Sequence, residues 1–477
     1  MSGLTEHERE DWQRAVPAGS FPRTDAGNGE YFAKLHGDLV RYDHRRGKWM
    51  LWRRHWWADD AMAHVRILAK EAARERYRTA LRIGDLEERG RESRFAINTE
   101  NRARIEAMLL SAKSEPPIAD TGDAWDLDGW LLGAANGVVD LRTGSLRPGT
   151  QDDRITLHTD IAYDADATCP RWDRYLAEVF MADDELIDYV WKAIGYSLTG
   201  DVSEQCFFTC HGSGSNGKSV FLEVLRAVGG MYAANTPFTT FELRDRSSIP
   251  NDIAALAGRR IVTAAETSEG TRLNEARIKV LTGGDVTTAR FLNQEFFTFR
   301  PVGKIWLAVN HPPVVRDHSR AFWRRVRLIP FLRTFEDAEA ERTLIDELYD
   351  ELPGILAWAV KGVAAWQRYG LRPPGAVTSA TETYRVESDP FADFIAGCCV
   401  VGPKLVVRAS EAYSAYRRWA GDRSLTERET LTSTQFGTKL GERYGKDRDN
   451  RGAFYEGIGL RADVGPAGQS DGSGDGS

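Results

Sequence analysis

Cysteine is scarce in this chain of 477 residues: Cys169, Cys206, Cys210, Cys398 and Cys399 form an odd set of five. They make neither an even disulfide framework nor paired C-x2-C zinc knuckles, so a stapled scaffold is excluded and the five read as core thiols in a reducing compartment. Long apolar runs are missing as well, and no membrane-spanning helix is expected. The opening MSGLTEHERED is polar where a secretory signal would be apolar, which predicts a cytoplasmic protein with no membrane partner. A surplus of positive charge is the third absence. With a net charge of -7 the surface is not coated for nucleic acid, so any DNA contact must be a local lining. The remaining composition, 42% hydrophobic and 28% charged, is that of a globular protein. The length predicts about three domains.

The most informative stretch is Phe207 to Ser219, FFTCHGSGSNGKS. Gly212, Ser213, Gly214, Ser215, Asn216, Gly217, Lys218 and Ser219 spell G-x-x-x-x-G-K-[ST], a phosphate-binding loop. Phosphate oxygens need consecutive backbone N-H groups brought close, which a glycine-rich loop allows. Lys218 would neutralise the β- and γ-phosphates of ATP, and the Ser219 hydroxyl would ligate Mg2+. The flanks support this over a Gly/Ser turn that happens to carry a lysine. Gln205 to Cys210 has strand length, and Phe221, Val224, Leu225 and Val228 recur with helical spacing until Gly229-Gly230.

Upstream, residues 1–60 read as a small aromatic and basic unit. Arg45 to Trp57 is either a hairpin turning at Gly47 with its tryptophans packed inside, which is preferred, or a single-strand grip. Charged helices are expected from Asp60 to Lys113 with a break between Gly84 and Arg94, and Ile105, Met108, Leu109 and Ala112 form an apolar stripe. Short strands follow around Trp130–Leu132, Gly137–Val139 and Gly144–Leu146. Asp126-x-Asp128 reads as a turn rather than a metal pair. Helices Trp172–Phe180 and Asp184–Leu198 deliver the chain to the loop.

Downstream, Arg259–Glu266 is a strand ending in an acid suited to orient Mg2+ or polarise water. Lys304–Asn310 is a buried-type strand ending in an amide suited to hold an attacking water. Trp323–Phe331 brings arginines to the entry of a further apolar run, from which a guanidinium could reach a neighbouring subunit's γ-phosphate.

GSGSNGKS, then IVTAAET, then IKVLTGGDVTTARFLNQEFFTFRPVGKIWLAVNHPPVVRDHSRAFWRRVRLIPF together resemble superfamily 3 helicases of the phage and plasmid primase-helicase group, related to the poxvirus replication ATPase. The upstream text TDAGNGEYFAKLHGDLVRY and LLGAANGVVDLRTGSLRP extends the resemblance to about residues 24–335. The resemblance implies an α/β fold with an AAA+-type P-loop ATPase core at 200–372, preceded by a helicase-associated α+β region at 61–199. It also implies a homo-hexameric ring that hydrolyses ATP between subunits and moves on single-stranded and forked DNA. A phage- or plasmid-encoded protein of a bacterial host would fit.

Carried over by resemblance, Lys218 and Ser219 are the loop pair, Glu266 the acid and Asn310 the sensor amide. Arg325 is the preferred cross-subunit arginine, with Arg324 as fallback, and Lys279 is a second basic group toward nucleotide. Ala289–Phe299 matches a hairpin that projects into the ring's channel. Its tip carries Asn293-Gln294 where relatives usually place a lysine, so Arg290 or a tip amide would substitute. Thr267 follows Glu266 where a second acid is common. The residues ahead of the ATPase lack an acidic-plus-His primase set. The expectation is therefore a helicase served by a separate primase or polymerase; a full primase-helicase and a nucleotide-locked DNA-binding scaffold are the alternatives.

Beyond residue 335, helices Ala338–Tyr349 and Ile355–Tyr369 close the ATPase. Residues 389–463 read as helix, helix and ribbon, the order of a winged helix, with a protein-contacting helical cap as the alternative. Gln435, Thr438, Lys439 and Arg443 would face DNA, with Lys446, Arg448 and Arg451 on the wing. Residues 464–477 read as a disordered tail.

Overall fold

The computed structural model describes residues 20–243, 251–265, 270–292, 295–317, 319–336, 343–423, 425 and 430–461. Glu266, Thr267, Asn293, Gln294 and the expected tail at 464–477 lie outside these residues. The chain is a mixed α/β protein in two units, one built from residues up to 313 together with 325–377, the other from 314–324 together with 378 onward.

In the first unit, helix α1 (Asp25–His36) starts at Thr24, whose side chain accepts from the Gly27 amide at 3.0 Å. Strands β1 (Val40–Asp43) and β2 (Lys48–Trp52) form the expected hairpin, turning at Gly47 with φ +66°. β3 (Trp57–Asp59) completes the meander, and Trp57 is fully buried on its outer side against Trp125. Helices α2 (His64–Ala80), α3 (Leu86–Thr99) and α4 (Arg102–Ala112) follow, and β4 (Ala119–Asp120) adds to β1 in parallel. The apolar stripe of α4 is buried residue for residue: Ile105, Met108, Leu109 and Ala112.

Two expectations are corrected in this region. The helical break falls at Leu81–Asp85, and Gly90, expected within the break, sits inside α3. The boundary at residue 60 runs through a single core, in which Phe32, Val40 and Leu51 pack with Val65, Ala69 and Met108.

Strands β5 (Leu131–Ala134), β6 (Gly137–Asp140) and β7 (Ser145–Arg147) form a second small antiparallel sheet. Asp126 lies beside it at φ +57°, and its carboxylate accepts from the Thr156 and Leu157 amides and the Thr156 hydroxyl. Asp128 pairs with Arg142 at 3.1 Å. Both carboxylates are thus engaged in local structure.

Helices α5 (Pro170–Val179) and α6 (Asp184–Leu198) lead into the main sheet. The sheet contains β8 (Phe207–His211), β9 (Ala233–Asn235), β10 (Ile261–Ala265), β13 (Lys304–Val309) and β14 (Val326–Pro330), and α7 (Lys218–Gly229) follows β8. The strand order is β14-β8-β13-β10-β9, every neighbouring pair parallel. Short apolar runs such as KIWLAV, buried along their whole length, suit a parallel sheet covered on both faces. α8 (Asn251–Ala254) precedes β10, and between β10 and β13 come α9 (Glu275–Gly283) and a separate two-stranded ribbon of β11 (Thr287–Ala289) and β12 (Phe297–Phe299).

Two buried cations hold the lower edge of this sheet. The Lys304 ammonium donates to the carbonyls of Thr199, Asp201 and Val302, and Arg260 donates to those of Leu198 and Leu131. Leu198 and Thr199 end α6, so the negative end of that helix dipole faces both cations and offsets part of their desolvation. Burial still drives the Lys304 pKa well below its ordinary value.

Helices α11 (Leu344–Asp350) and α12 (Leu352–Tyr369) close the unit beyond α10 (Arg320–Trp323) and β14. At the α6–α12 contact, a Cβ on Gly195 would sit 2.3 Å from the Gly362 carbonyl carbon and 2.4 Å from the Val363 nitrogen. Those are backbone atoms, which cannot step aside.

The second unit contains α10, α13 (Gly375–Glu387, whose start belongs to the first unit), α14 (Pro390–Cys398), β15 (Cys399–Arg408), α15 (Ala409–Asp422), α16 (Ser433–Arg443), β16 (Gly445–Asp449) and β17 (Gly452–Leu460). Its sheet is antiparallel in the order β15-β17-β16. Phe394, Tyr416, Phe436 and Tyr455 fill the core. Trp323 of α10 packs edge-on against Tyr384, ring centroids 5.2 Å apart.

The glycine contact gives a direct test. Gly195→Ala is expected to lower unfolding stability by about 1–3 kcal/mol in urea titration, because two helices must separate. Gly90→Ala, where a Cβ would meet nothing within 4 Å, is expected to raise it by about 0.5–1 kcal/mol.

Candidate functional site

β8 lies between β13 and β14, so the loop that leaves its upper end is bounded by the ends of both neighbours. The loop runs from Gly212 to Gly217 and enters α7 at Lys218. Its conformation depends on glycine at Gly214 (φ +114°) and Gly217 (φ +85°), and Ser215 also takes a positive φ of 45°. A Cβ on Gly212 would stand 2.2 Å from the Phe331 carbonyl oxygen.

Three contacts from outside the loop hold it. The Tyr175 hydroxyl of α5 donates to the Gly217 carbonyl at 2.7 Å, the Phe335 amide donates to the Ser215 carbonyl at 2.7 Å, and Asn216 Nδ2 reaches the Phe331 carbonyl at 3.4 Å. Lys218 is buried and turned back over the loop. Its Nζ donates to the Gly212 carbonyl at 2.7 Å and to Asn216 Oδ1 at 2.9 Å, and burial lowers its pKa. Ser213, Ser215 and Ser219 are exposed on the open side, Ser219 in the first turn of α7.

Asn310 follows the last residue of β13 and is exposed; Val309, just before it, pairs with His211 and accepts from the Gly212 amide. Asn310 therefore leaves the sheet at the same edge as the loop. β10 ends at Ala265 opposite Ala308, at that edge too, and Glu266 would be the next residue.

The arginines divide unexpectedly. Arg325, preferred for a cross-subunit contact, is 8% exposed; its Nε donates to Thr282 Oγ1 of α9 at 3.3 Å, and its carbonyl accepts from the Phe207 amide. It is part of the protomer's interior, which corrects the preference for it as a reaching side chain. Arg324, in the second unit, caps α10 and is exposed. Lys279 is half-buried on α9.

The segment matched to the hairpin contains an antiparallel ribbon of β11 and β12, with Thr287 opposite Phe299 and Ala289 opposite Phe297. Arg290 is half-buried, its guanidinium carbon 4.7 Å from the Phe296 ring centroid.

In the second unit the expected DNA face of α16 is largely engaged in structure. Lys439 and Arg443 both pair with Asp389, at 3.5 and 2.9 Å. Gln435 forms a capping box with Thr432, and the Thr438 hydroxyl donates to the Thr434 carbonyl. Gln435, Thr438 and Arg443 nevertheless remain exposed, while Lys439 is half-buried beside Asp389. Lys446, Arg448 and Arg451 on the ribbon are exposed as expected. Sequence reasoning missed Tyr175, Thr282 and Asp389. The first carried a signal in its helical period, while the other two are partners that only tertiary structure reveals.

Among the described residues no helix is long and apolar enough to cross a membrane, and no group of three or more His, Cys, Asp or Glu side chains could hold a metal.

A mixed α/β chain with a glycine loop at the upper edge of a parallel sheet is the class that fold and site define. Residues 29–181 match the family described as D5 N terminal like, and residues 210–325 match a family of unknown function, DUF5906. A protein of Acanthamoeba polyphaga mimivirus whose name marks it as a candidate helicase (L207/L206) is 30% identical over 319 residues, which is 62% of this chain and 33% of that protein. A candidate primase (C962R) of African swine fever virus, isolate Tick/Malawi/Lil 20-1/1983, is 23% identical over 322 residues, again 62% of this chain and 33% of that protein. The A form apo structure of the NrS-1 C terminal region aligns with 86% of this chain and 85% of its own at 12% identity, TM-score 0.48. The chain thus spans about a third of the length of these curated relatives. Residues 29–181 thus carry a D5 N terminal like region, and the viral relatives matched are named as candidate helicases and primases.

The division of the arginines predicts separable effects. Arg325→Ala should cost about 2 kcal/mol of stability by thermal or urea unfolding, through lost packing and a lost buried hydrogen bond. Arg324→Ala should stay within about 0.5 kcal/mol of the parent.

Proposed function

We propose that the chain is an ATP-dependent replicative DNA helicase of superfamily 3 type, with an AAA+-like core and a winged-helix-like second unit, working as a homo-oligomeric ring on single-stranded DNA. The observation that carries this reading is the Lys218 ammonium held on the carbonyl of Gly212 within a loop stapled on three sides. A triphosphate would suit the loop: a Cβ on Gly214 would meet nothing within 4 Å, which leaves room for backbone to approach an anion, and the N-terminal end of the twelve-residue α7 faces the same space. Lys218 would exchange a carbonyl and an amide oxygen for phosphate oxygens. Ser219 and Glu266 would hold Mg2+, which when bound neutralises charge on the β- and γ-phosphates. Asn310 would orient the attacking water beside Gly212, and Lys279 would lend charge from α9.

The role of the arginine from a neighbouring copy passes to Arg324, because Arg325 is engaged internally. In the second unit the order α14, β15, α15, α16, β16, β17 matches helix-strand-helix-helix-strand-strand, the winged-helix arrangement. Its DNA contacts would come from Lys446, Arg448 and Arg451 on the wing, since Lys439 and Arg443 are paired with Asp389. The names of the viral relatives support action in DNA replication, helicase or primase.

A second reading, a DNA-binding scaffold locked by nucleotide, is favoured by one observation: the hairpin at 287–299 carries one cation, Arg290, and one anion, Glu295, and so no net charge.

Lys218→Ala is expected to abolish DNA-stimulated ATP hydrolysis while leaving assembly intact by light scattering. Arg324→Ala is expected to abolish hydrolysis and spare nucleotide binding. Strand displacement on a 3′-tailed duplex separates the two readings: ATP-dependent DNA binding without unwinding would favour the scaffold and refute the motor.

A further inference from the structure

Tyr175 differs from the other groups that hold the phosphate loop in where it comes from. It lies on α5, 42 residues before the glycine it contacts, whereas Phe331 and Phe335 follow β14. Its side chain is 1% exposed and its ring stacks on Trp172, centroids 5.3 Å apart and planes within 24°; Trp172 stacks in turn on Phe221 of α7. The start of α5 is fixed as well, because the amides of Arg171 and Trp172 donate to the Glu351 carboxylate at 2.9 and 3.0 Å. The hydroxyl therefore reaches the loop from a ring held by packing on a helix that is itself anchored.

What the hydroxyl holds is one end of a peptide plane. Gly217 is the N-cap of α7 at φ +85°, a left-handed conformation that glycine adopts freely, and its carbonyl accepts from Tyr175 at 2.7 Å and from the Phe221 amide at 2.9 Å. A Cβ on Gly217 would stand 2.9 Å from Val179 Cγ2 and 3.1 Å from the Tyr175 hydroxyl, so this peptide lies directly against α5. The Gly217–Lys218 bond is trans, and a planar trans peptide points its N-H opposite to its C=O. With the carbonyl pinned on α5, the Lys218 amide is aimed away from α5. It is one of the first four amides of α7, for which the helix itself supplies no acceptor. Burial pushes the ionisation of Tyr175 far above its ordinary value, so the hydroxyl stays a donor.

We propose that Tyr175 is a positioning residue for nucleotide: through the Gly217 carbonyl it keeps the Lys218 amide in the orientation from which it can donate to a phosphate oxygen. The proposal rests on the reading of the loop as a triphosphate site and deepens it, by assigning part of the affinity to a helix that precedes the sheet. An amide aimed in advance serves the phosphate before and during transfer alike. The hydroxyl should therefore govern affinity and leave the rate of the bound complex unchanged.

The test compares the full chain with Tyr175→Phe, which keeps the ring and deletes only the hydroxyl. Binding is read by the fluorescence of methylanthraniloyl-ATP and methylanthraniloyl-ADP, and turnover by phosphate release with single-stranded DNA present. The variant is expected to bind both nucleotides about tenfold more weakly, since the loop amides meet phosphates that ATP and ADP share. Its KM for ATP should rise by the same factor while kcat stays within about twofold of the parent. The ratio of the two KM values should be the same at neutral and mildly alkaline pH, and the circular dichroism and assembled mass should match the parent's. Parental affinity in the variant, a loss confined to ATP, or a fall in kcat at unchanged KM would overturn the proposal. So would an altered spectrum or assembled mass, which would make Tyr175 a support of the fold alone. Failure of the parent to bind either nucleotide would instead overturn the triphosphate reading beneath it.

Discussion

The hydrogen bond from the Lys218 ammonium to the Gly212 carbonyl closes a loop whose shape is set elsewhere. Tyr175 on α5, Phe335 beyond β14 and the Asn216–Phe331 contact each hold a different part of it. Because β8 is flanked by β13 and β14, the loop, Asn310 and the exit of β14 leave the sheet together. A displacement of β14 would be felt at Asn216 and then at Lys218. The constraint is geometric and does not depend on any ligand.

The two edges of the sheet divide their work by charge. At the lower edge Lys304 and Arg260 are buried, have no carboxylate partner among the described residues, and are satisfied by backbone carbonyls, those of Leu198 and Thr199 at the end of α6 included. That arrangement ties the strands to the segment that precedes them. At the upper edge a buried lysine donates, among the described residues, to two oxygens, the Gly212 carbonyl and Asn216 Oδ1. A cation held that lightly is available for exchange. Arg325 illustrates the same economy: joined to Thr282, it braces α9 against the entry to β14 and leaves the exposed position to Arg324.

Much of this was legible from residue order where one local pattern decides the outcome. The stripe of α4, the hairpin turning at Gly47, the buried run of β13 and the loop with its following helix follow from period, turn chemistry and spacing. Errors arose where the deciding partner is distant. Gly90 was expected in a break, yet Asp85 caps a helix that runs through it. β15, which contains Gly402-Pro403 and shifts register between Val401 and Val406, has no strand-like alternation and forms only by pairing with β17. Lys439 and Arg443 read as a basic face because Asp389 lies about fifty residues earlier, 54 for Arg443. The preference for Arg325 over Arg324 failed for a related reason. Adjacent residues entering a strand face opposite ways, and only the position of Thr282 decides which one turns inward.

The central claim is that each triphosphate is enclosed jointly by Lys218 of one protomer and Arg324 of the next. The most direct measurement mixes two single variants, Lys218→Ala and Arg324→Ala, and follows ATP hydrolysis as the subunits exchange. A shared pocket predicts that two inactive preparations regain hydrolysis on mixing, since some interfaces then pair an intact lysine with an intact arginine. No recovery in assemblies demonstrated to contain both variants would contradict it.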